Sequence, residues 1–320
     1  MMSATEALNF YEKTKKDWNS RSVVRNSKET YEINFSEIET NKNLSWHIPS
    51  YSTILNHEYL KGLSEGNKNY IMGTQLLEFV EKTAIFEVEY VNKVANNLAL
   101  GKYNFDIPNV LKLDALKIYT DEGYHAHFSK KMADDIKKFY DIKDDLKPYL
   151  DIFFNKVNKI GSSFDKKFKY LSDFSSTLIS ETMIVQDMSD EMKGIVHEPI
   201  RLMFKDHITD EMFHANYFST IFKILWPQLS DEEKEILGLN MCESMQIFAK
   251  PRVDIYYYSL SKLGYDKNLI EKIVLDTFKE GNAEAEKVKK RMSQTLLLLE
   301  RSDVFRIKSV KNNFQEQGFI

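Results

Sequence analysis

The chain of 320 residues has one cysteine, Cys242. No internal disulfide can form, and a reducing compartment, the cytoplasm, is the expected address. Glycine and proline are scarce, at 11 and 6. Long stretches therefore run without a breaker, and the strict alternation of a half-buried strand is rare. No apolar run approaches the roughly 20 residues that cross a bilayer; the longest leucine run is Leu296–Leu299. The opening stretch, MMSATEALNFYEKTKKDW, has no apolar segment of the secretory kind. Charge of one sign is not in excess: Lys+Arg 44 against Asp+Glu 48 gives a formal net charge of −4. With no basic block, neither a nucleic-acid partner nor a membrane is expected. No glycine-rich nucleotide motif occurs, so a reaction needing electrons would draw them from a separate reductase.

What is present is helical material: 42% hydrophobic and 29% charged residues, enough for a sizeable core. The expectation is an all-α chain forming one domain over 1–320, with a bundle at about 66–225 and peripheral segments at 1–65 and 226–320. Breaker positions divide the bundle. One helix runs from about 66 to Gly101, a second over 109–139, a third over 165–191 and a fourth from Pro199 to about 225. Pro148 and GIVHEP (194–199) mark breaks between them. At least three more helices are expected over 230–310, and the tail NNFQEQGFI reads as irregular.

Each of the four helices carries an apolar stripe stepping by three or four residues. The stripes are Leu76, Val80, Ala84, Glu87, Val91, Val94, Leu98; Leu111, Ala115, Ile118, Glu122, His125, Ser129, Met132; Phe174, Leu178, Glu181, Val185, Met188; and Ile200, Phe204, His207, Glu211, His214, Phe218, Ile221, Leu225. Apart from Ser129, every stripe is apolar except at its middle, where it carries Glu, or Glu and His. At about 100° per residue, Glu78, Glu81 and Glu89 fall off the first stripe and are expected to be solvated or peripheral. Glu87 lies nearly as far before Gly101 as Glu122 lies after Asn109, and Glu181 and Glu211 flank their own turn in the same way. Two antiparallel hairpins would therefore bring all four carboxylates to one depth, about 20 Å from the turns at 1.5 Å per residue.

Buried carboxylates must be paired, protonated or bound to a cation. One Glu-x-x-His on a helix is ordinary. Two of them, with two further acids in phase, form the di-iron or di-manganese pattern of ferritin-like bundles. Carboxylate and imidazole donors suit iron or manganese. His207 shares the face of Glu211 and His214; by spacing alone it is either a ligand or a group behind one. Asp121 and Asp210, each preceding a ligand Glu, are candidates to orient a histidine. Thr83 and Phe79, one and two turns before Glu87, would line a substrate pocket or pack in the core. Lys82 would meet a substrate carboxylate or lie in solvent. His127 is expected to face outward, His197 to sit at a helix start on the surface, and His47 and His57 to lie outside the bundle.

At these residues the sequence resembles the p-aminobenzoate N-oxygenase family of non-haem di-iron oxygenases. The likeness rests on Glu87, DEGYH (121–125), Glu181 and HITDEMFH (207–214), and covers roughly 70–225. The resemblance implies a ferritin-like four-helix bundle with added N- and C-terminal helices. It also implies a ligand set of Glu87, Glu122, His125, Glu181, His207, Glu211 and His214 for two Fe ions, with di-manganese or mixed Mn/Fe as the alternative. The activity implied is O2-dependent oxidation of an amine nitrogen to hydroxylamine or nitro products. A biosynthetic pathway and an external electron donor are expected with it, and the long segments flanking the bundle suit pocket walls and a homodimer interface. Three other readings stay open: a di-iron C–H hydroxylase, a ferroxidase with no organic substrate, and a helical protein without catalysis.

Overall fold

The computed structural model describes residues 4–320 apart from 16, 29, 42–43, 47–51, 192–195 and 280–283. The described chain is all-α, and among the described residues the only β pairing is an isolated bridge between Ser45 and Val196. Four short helices open it: α1 (Ala4–Thr14), α2 (Trp18–Arg21), α3 (Val23–Asn26) and α4 (Phe35–Thr40). The first long helix begins as α5 (Glu65–Phe86), passes through a π turn at Glu87–Val91 and continues as α6 (Asn92–Ala99). Then come α7 (Asn109–Phe139), α8 (Lys147–Lys159), α9 (Lys169–Glu191) and α10 (Glu198–Leu225). The chain ends with α11 (Asp231–Ala249), α12 (Asp254–Lys262), α13 (Lys267–Thr277), α14 (Glu284–Arg301) and α15 (Lys308–Glu316).

Local chemistry sets the helix ends. The Ser64 side chain accepts from the Asn67 amide at the start of α5. Ser230 and Glu233 exchange bonds as a capping box at the start of α11. Pro148 and Pro199 sit in the first turns of α8 and α10, where a missing N–H costs nothing. Pro148 thus opens a helix as well as ending a loop. α5 and α6 pack along α7, α9 packs along α10, and α7 meets α10. These four rods form a bundle of the ferritin-like kind.

Two apolar layers fill the bundle, one on each side of its middle. One contains Val91, Val94, Leu98, Leu111, Ile118, Leu178 and Phe218. The other contains Leu76, Val80, Phe128, Met132, Met188, Ile200 and Phe204. Each helix crosses from one layer to the other, and its acid or Glu-x-x-His lies at the crossing. At about 1.5–3 kcal/mol for each fully buried large side chain, these layers hold the polar stratum between them in place.

Several expectations are corrected. Glu78 and Glu81 are buried rather than solvated, because α5 has a second covered face. Glu78 pairs with Arg252 at 3.0 Å, and Glu81 with Lys130 and Lys137 of α7; Glu89 is exposed as expected. His197 is buried against Trp46, ring centroids 5.6 Å apart, and its side chain makes no capping bond. The tail is largely helical, with Phe314 of α15 buried. The segment before α5 is not peripheral: α1 packs on α10, and α3 on α7 and α10. His127 is exposed and His57 half-buried. His47 and residues 194–195 of the 194–199 break lie outside the described residues.

One turn depends on glycine. Gly161, between α8 and α9, has φ +67°, and an added Cβ would collide with Ser172 Oγ and Asn240 Oδ1. Gly161→Ala is expected to cost about 2–4 kcal/mol, from left-handed strain plus overpacking. A thermal melt within about 1 °C of the parent chain would show that the turn can relax.

Candidate metal centre

The two Asp-Glu-x-x-His segments, 121–125 on α7 and 210–214 on α10, face each other across the bundle. A helix places residues three apart on one face, so each segment projects a glutamate and a histidine inward together. α5 adds Glu87 at the first position of its π turn, and α9 adds Glu181. π turns are uncommon and concentrate at functional positions. All seven side chains foreseen as ligands, namely Glu87, Glu122, His125, Glu181, His207, Glu211 and His214, are buried.

The distances define one cluster. His125 Nδ1 lies 3.2 Å from Glu211 Oε1 and 3.5 Å from Glu122 Oε2. His214 Nδ1 lies 2.9 Å from Glu122 Oε1, 3.3 Å from Glu211 Oε1 and 3.8 Å from Glu181 Oε2. His207 Nε2 lies 2.9 Å from Glu87 Oε1 and 3.2 Å from Glu211 Oε1. The cluster contains two overlapping groups whose donor atoms fall within 4.8 Å of one another: Glu87, His125, His207 and Glu211, and Glu122, His125, Glu211 and His214. Glu181 stands beside the second group.

These atoms approach one another without hydrogen-bond geometry. Both oxygens of Glu87, Glu122 and Glu211, one oxygen of Glu181, Nδ1 of His125 and His214, and Nε2 of His207 are buried with no hydrogen-bond partner among the described residues. Buried polar atoms are ordinarily satisfied, and an orphaned set this dense calls for a ligand. Four carboxylates facing one volume match the charge of about two divalent cations, and the imidazoles supply neutral donors. With oxygen and nitrogen donors and no thiolate, the set fits iron or manganese. Cys242 is buried on α11, and burial pushes its thiol up to about 12.

Without a cation the cluster holds protons instead. Burial drives Glu181 well above the usual carboxylate range, with the charges of Glu211 and Glu122 adding to it. Burial also raises Glu87, to about 7, against the pull of His207. Burial opposes ionisation of Glu211 too, but the charge of His214 and the closeness of His125 and His207 outweigh it and hold Glu211 well below the ordinary value. Burial disfavours the imidazolium forms of His125 and His214. The carboxylates around them outweigh it, and both rise well above the ordinary histidine value.

The outer nitrogens are held crosswise. His125 Nε2 lies 3.1 Å from Asp210 Oδ2, and His214 Nε2 lies 3.4 Å from Asp121 Oδ2. Each motif's aspartate therefore holds the other motif's histidine. Donation to the aspartate places the proton on Nε2 and leaves the Nδ1 lone pair facing inward. His207 presents Nε2 instead, so the three imidazoles do not use the same ring nitrogen.

The residues that hold those aspartates were not foreseen. Asp121 accepts from Trp18 Nε1 at 2.9 and 3.0 Å and from Ser22 Oγ at 2.6 Å. Asp210 accepts from Arg21 Nη1 at 2.9 Å and from the Val23 amide at 3.2 Å. All four donors lie on α2, α3 and the residue between them. Of the expected pocket residues, Thr83 is buried. Phe79 packs on Phe204, centroids 5.7 Å apart, and Lys82 Nζ lies over the Phe79 and Phe153 rings at 5.3 and 5.6 Å. A surface cleft of about 380 Å³ between α5, α7 and α8 is lined by Glu81, Lys130, Lys137, Leu150 and Phe154, and by none of those three.

Comparison with known protein families matches residues 9–302 to the family described as P-aminobenzoate N-oxygenase AurF. A comparison with curated proteins found no match. No helix among the described residues is long and apolar enough to cross a membrane.

Proposed function

The chain belongs to the p-aminobenzoate N-oxygenase AurF family, and from that premise we propose that it is a di-iron oxygenase acting on the nitrogen of a small-molecule amine. The observation that carries this reading is the orphaned set of buried carboxylate and imidazole atoms converging between α5, α7, α9 and α10. Glu87, Glu122, His125, Glu181, His207, Glu211 and His214 would hold about two iron ions. Bound iron would supply reductive activation of O2, which neither carboxylate nor imidazole can perform.

The chain's own residues do the rest. Asp121 and Asp210 fix His214 and His125 as Nδ1 donors. Glu211, common to both groups of donor atoms, stands between the two ends of the cluster. The apolar layers above and below exclude water, so oxidising equivalents reach the substrate rather than solvent. Phe79, Thr83 and Lys82, on the helix that carries Glu87, are the proposed contacts of the amine. The burial of His207 against Glu87 favours this reading over a plain ferroxidase, whose four-acid, two-histidine set needs no third imidazole.

The test uses protein reconstituted anaerobically with Fe(II), reduced by a chemical donor and exposed to O2 with an arylamine. The expected products are the hydroxylamine and the nitro compound, formed in proportion to bound iron. Iron oxidation with every amine recovered unchanged would favour the ferroxidase, and a hydroxylated carbon would favour the C–H oxygenase.

A further inference from the structure

The two halves of the α2–α3 segment treat the two aspartates differently. Asp121 is held by uncharged donors, the Trp18 indole and the Ser22 hydroxyl. Asp210 is held by a guanidinium and a backbone amide. The Arg21 side chain is only 8% exposed, and the Asp210 side chain is fully buried. The guanidinium carbon lies 3.8 Å from the centroid of the Phe213 ring. Its Nε and Nη2 have no partner among the described residues, so Asp210 is the anion that fixes this buried cation. A desolvated, planar, stacked pair of this kind is rigid.

α2 and α3 are one-turn helices of four residues each. Such helices have no stability of their own. Their docking rests on what they touch: the pair of aspartates, the Phe213 ring under Arg21, and the apolar surface that buries Val23. The aspartates lead to different parts of the cluster. Asp210 backs His125, which belongs to both groups of donor atoms; Asp121 backs His214, which belongs only to the group beside Glu181.

Resting on the two-metal reading above, we propose that Trp18–Val23 is a strap of positioning residues that acts unequally on the two metal positions. Arg21 and the Val23 amide serve both positions through Asp210 and His125, the histidine common to the two groups of donor atoms. Trp18 and Ser22 serve the Glu181 end through Asp121 and His214. The two ends of the centre would consequently differ in affinity, because only the Glu181 end also draws on His214, whose carboxylate partner is held by neutral groups alone.

Cobalt(II) is the probe, because its absorption reports binding without turnover. The full chain is titrated anaerobically against a competing chelator, alone and as Arg21→Met, Ser22→Ala and Trp18→Phe. The parent is expected to take up about two equivalents in two resolvable steps. Arg21→Met should weaken both steps by about 10- to 100-fold, the usual effect of losing an outer partner of a ligand. Ser22→Ala and Trp18→Phe should weaken one step and leave the other unchanged. If Arg21→Met does not fold, Arg21→Lys carries the same test, since it keeps the charge but not the planar fork. Ser22→Ala or Trp18→Phe moving both steps or neither, or Arg21→Met moving one step alone or neither, overturns the proposal, because a mere scaffold would not distinguish the two arms. A parent chain that takes up less than about two equivalents would instead fail the two-metal reading itself.

Discussion

Replacing Glu211 with alanine is expected to drop the iron content from about two ions per chain to well below one, and to abolish amine oxidation with it. Glu211 Oε1 lies within 3.3 Å of the inward nitrogen of all three imidazoles, and the residue belongs to both groups of donor atoms. Its loss removes a donor from each end at once. Glu181→Ala should be milder, since Glu181 stands outside both groups and, of the three imidazoles, pairs with His214 alone, at 3.8 Å. Loss of a buried charge that three imidazoles face also costs fold stability, about 3–5 kcal/mol when one partner of a buried set is removed. Glu211→Gln, which keeps the volume and one carbonyl oxygen, separates the two effects: it should retain more stability than the alanine variant while still losing most iron. Metal analysis after anaerobic Fe(II) loading, beside circular dichroism on the same samples, reads both quantities. Full iron content in Glu211→Ala would sink the ligand assignment.

The centre was legible in the sequence because its geometry is local. Glu-x-x-His needs only the 3.6-residue period of a helix to put two donors on one face. The apolar stripe that carries them through the bundle has the same period. Matched distances from Gly101, Asn109 and Pro199 set the depth. His207 could be placed on the right face but not assigned a partner, because its contact with Glu87 lies across the bundle. The π turn escaped notice for a related reason: a stripe allowed to step by three or four residues absorbs one extra residue without a visible break.

What could not be read is tertiary. The strap reaches Asp121 from 99 and 103 positions away and Asp210 from 189. Within Trp18–Val23 the residues have no periodicity, and both helices are too short to show one. The pairing of Glu78 and Glu81 is hidden in the sequence because phase along α5 reports only the face turned to the bundle axis. Arg252 and the α7 lysines cover that helix from other directions. An acid off the core stripe is solvated in a bare four-helix bundle, but not in one wrapped by further helices.

Removing the metal should lower the melting temperature by an amount that grows with pH. In the metal-free fold His125 and His214 hold protons well above the ordinary histidine value, because buried carboxylates surround them. That stabilisation is fully present below about pH 6.5, where the unfolded chain is protonated too, and is lost as the pH rises through the raised folded values. Glu181 works in the same direction: burial raises its folded value, so ionisation above the usual carboxylate range costs the folded state more than the unfolded one. Glu211 has the opposite sign, its folded value being depressed, but its contribution is lost only as the pH falls through that low value. From pH 6.5 upward the apo protein therefore weakens. Metal ions replace those protons at the Nδ1 atoms and carboxylates, and binding that releases protons tightens as the pH rises. With free metal at about 1,000 times its dissociation constant, binding adds about 4 kcal/mol, or roughly 6 °C for a chain of this size. Melts of apo and Fe(II)-loaded protein under anaerobic conditions at pH 6, 7 and 8.5 should show a gap that widens across the series. A gap that is constant with pH, or absent with metal verified in the loaded sample, would mean that the carboxylate and imidazole cluster is not where the metal sits.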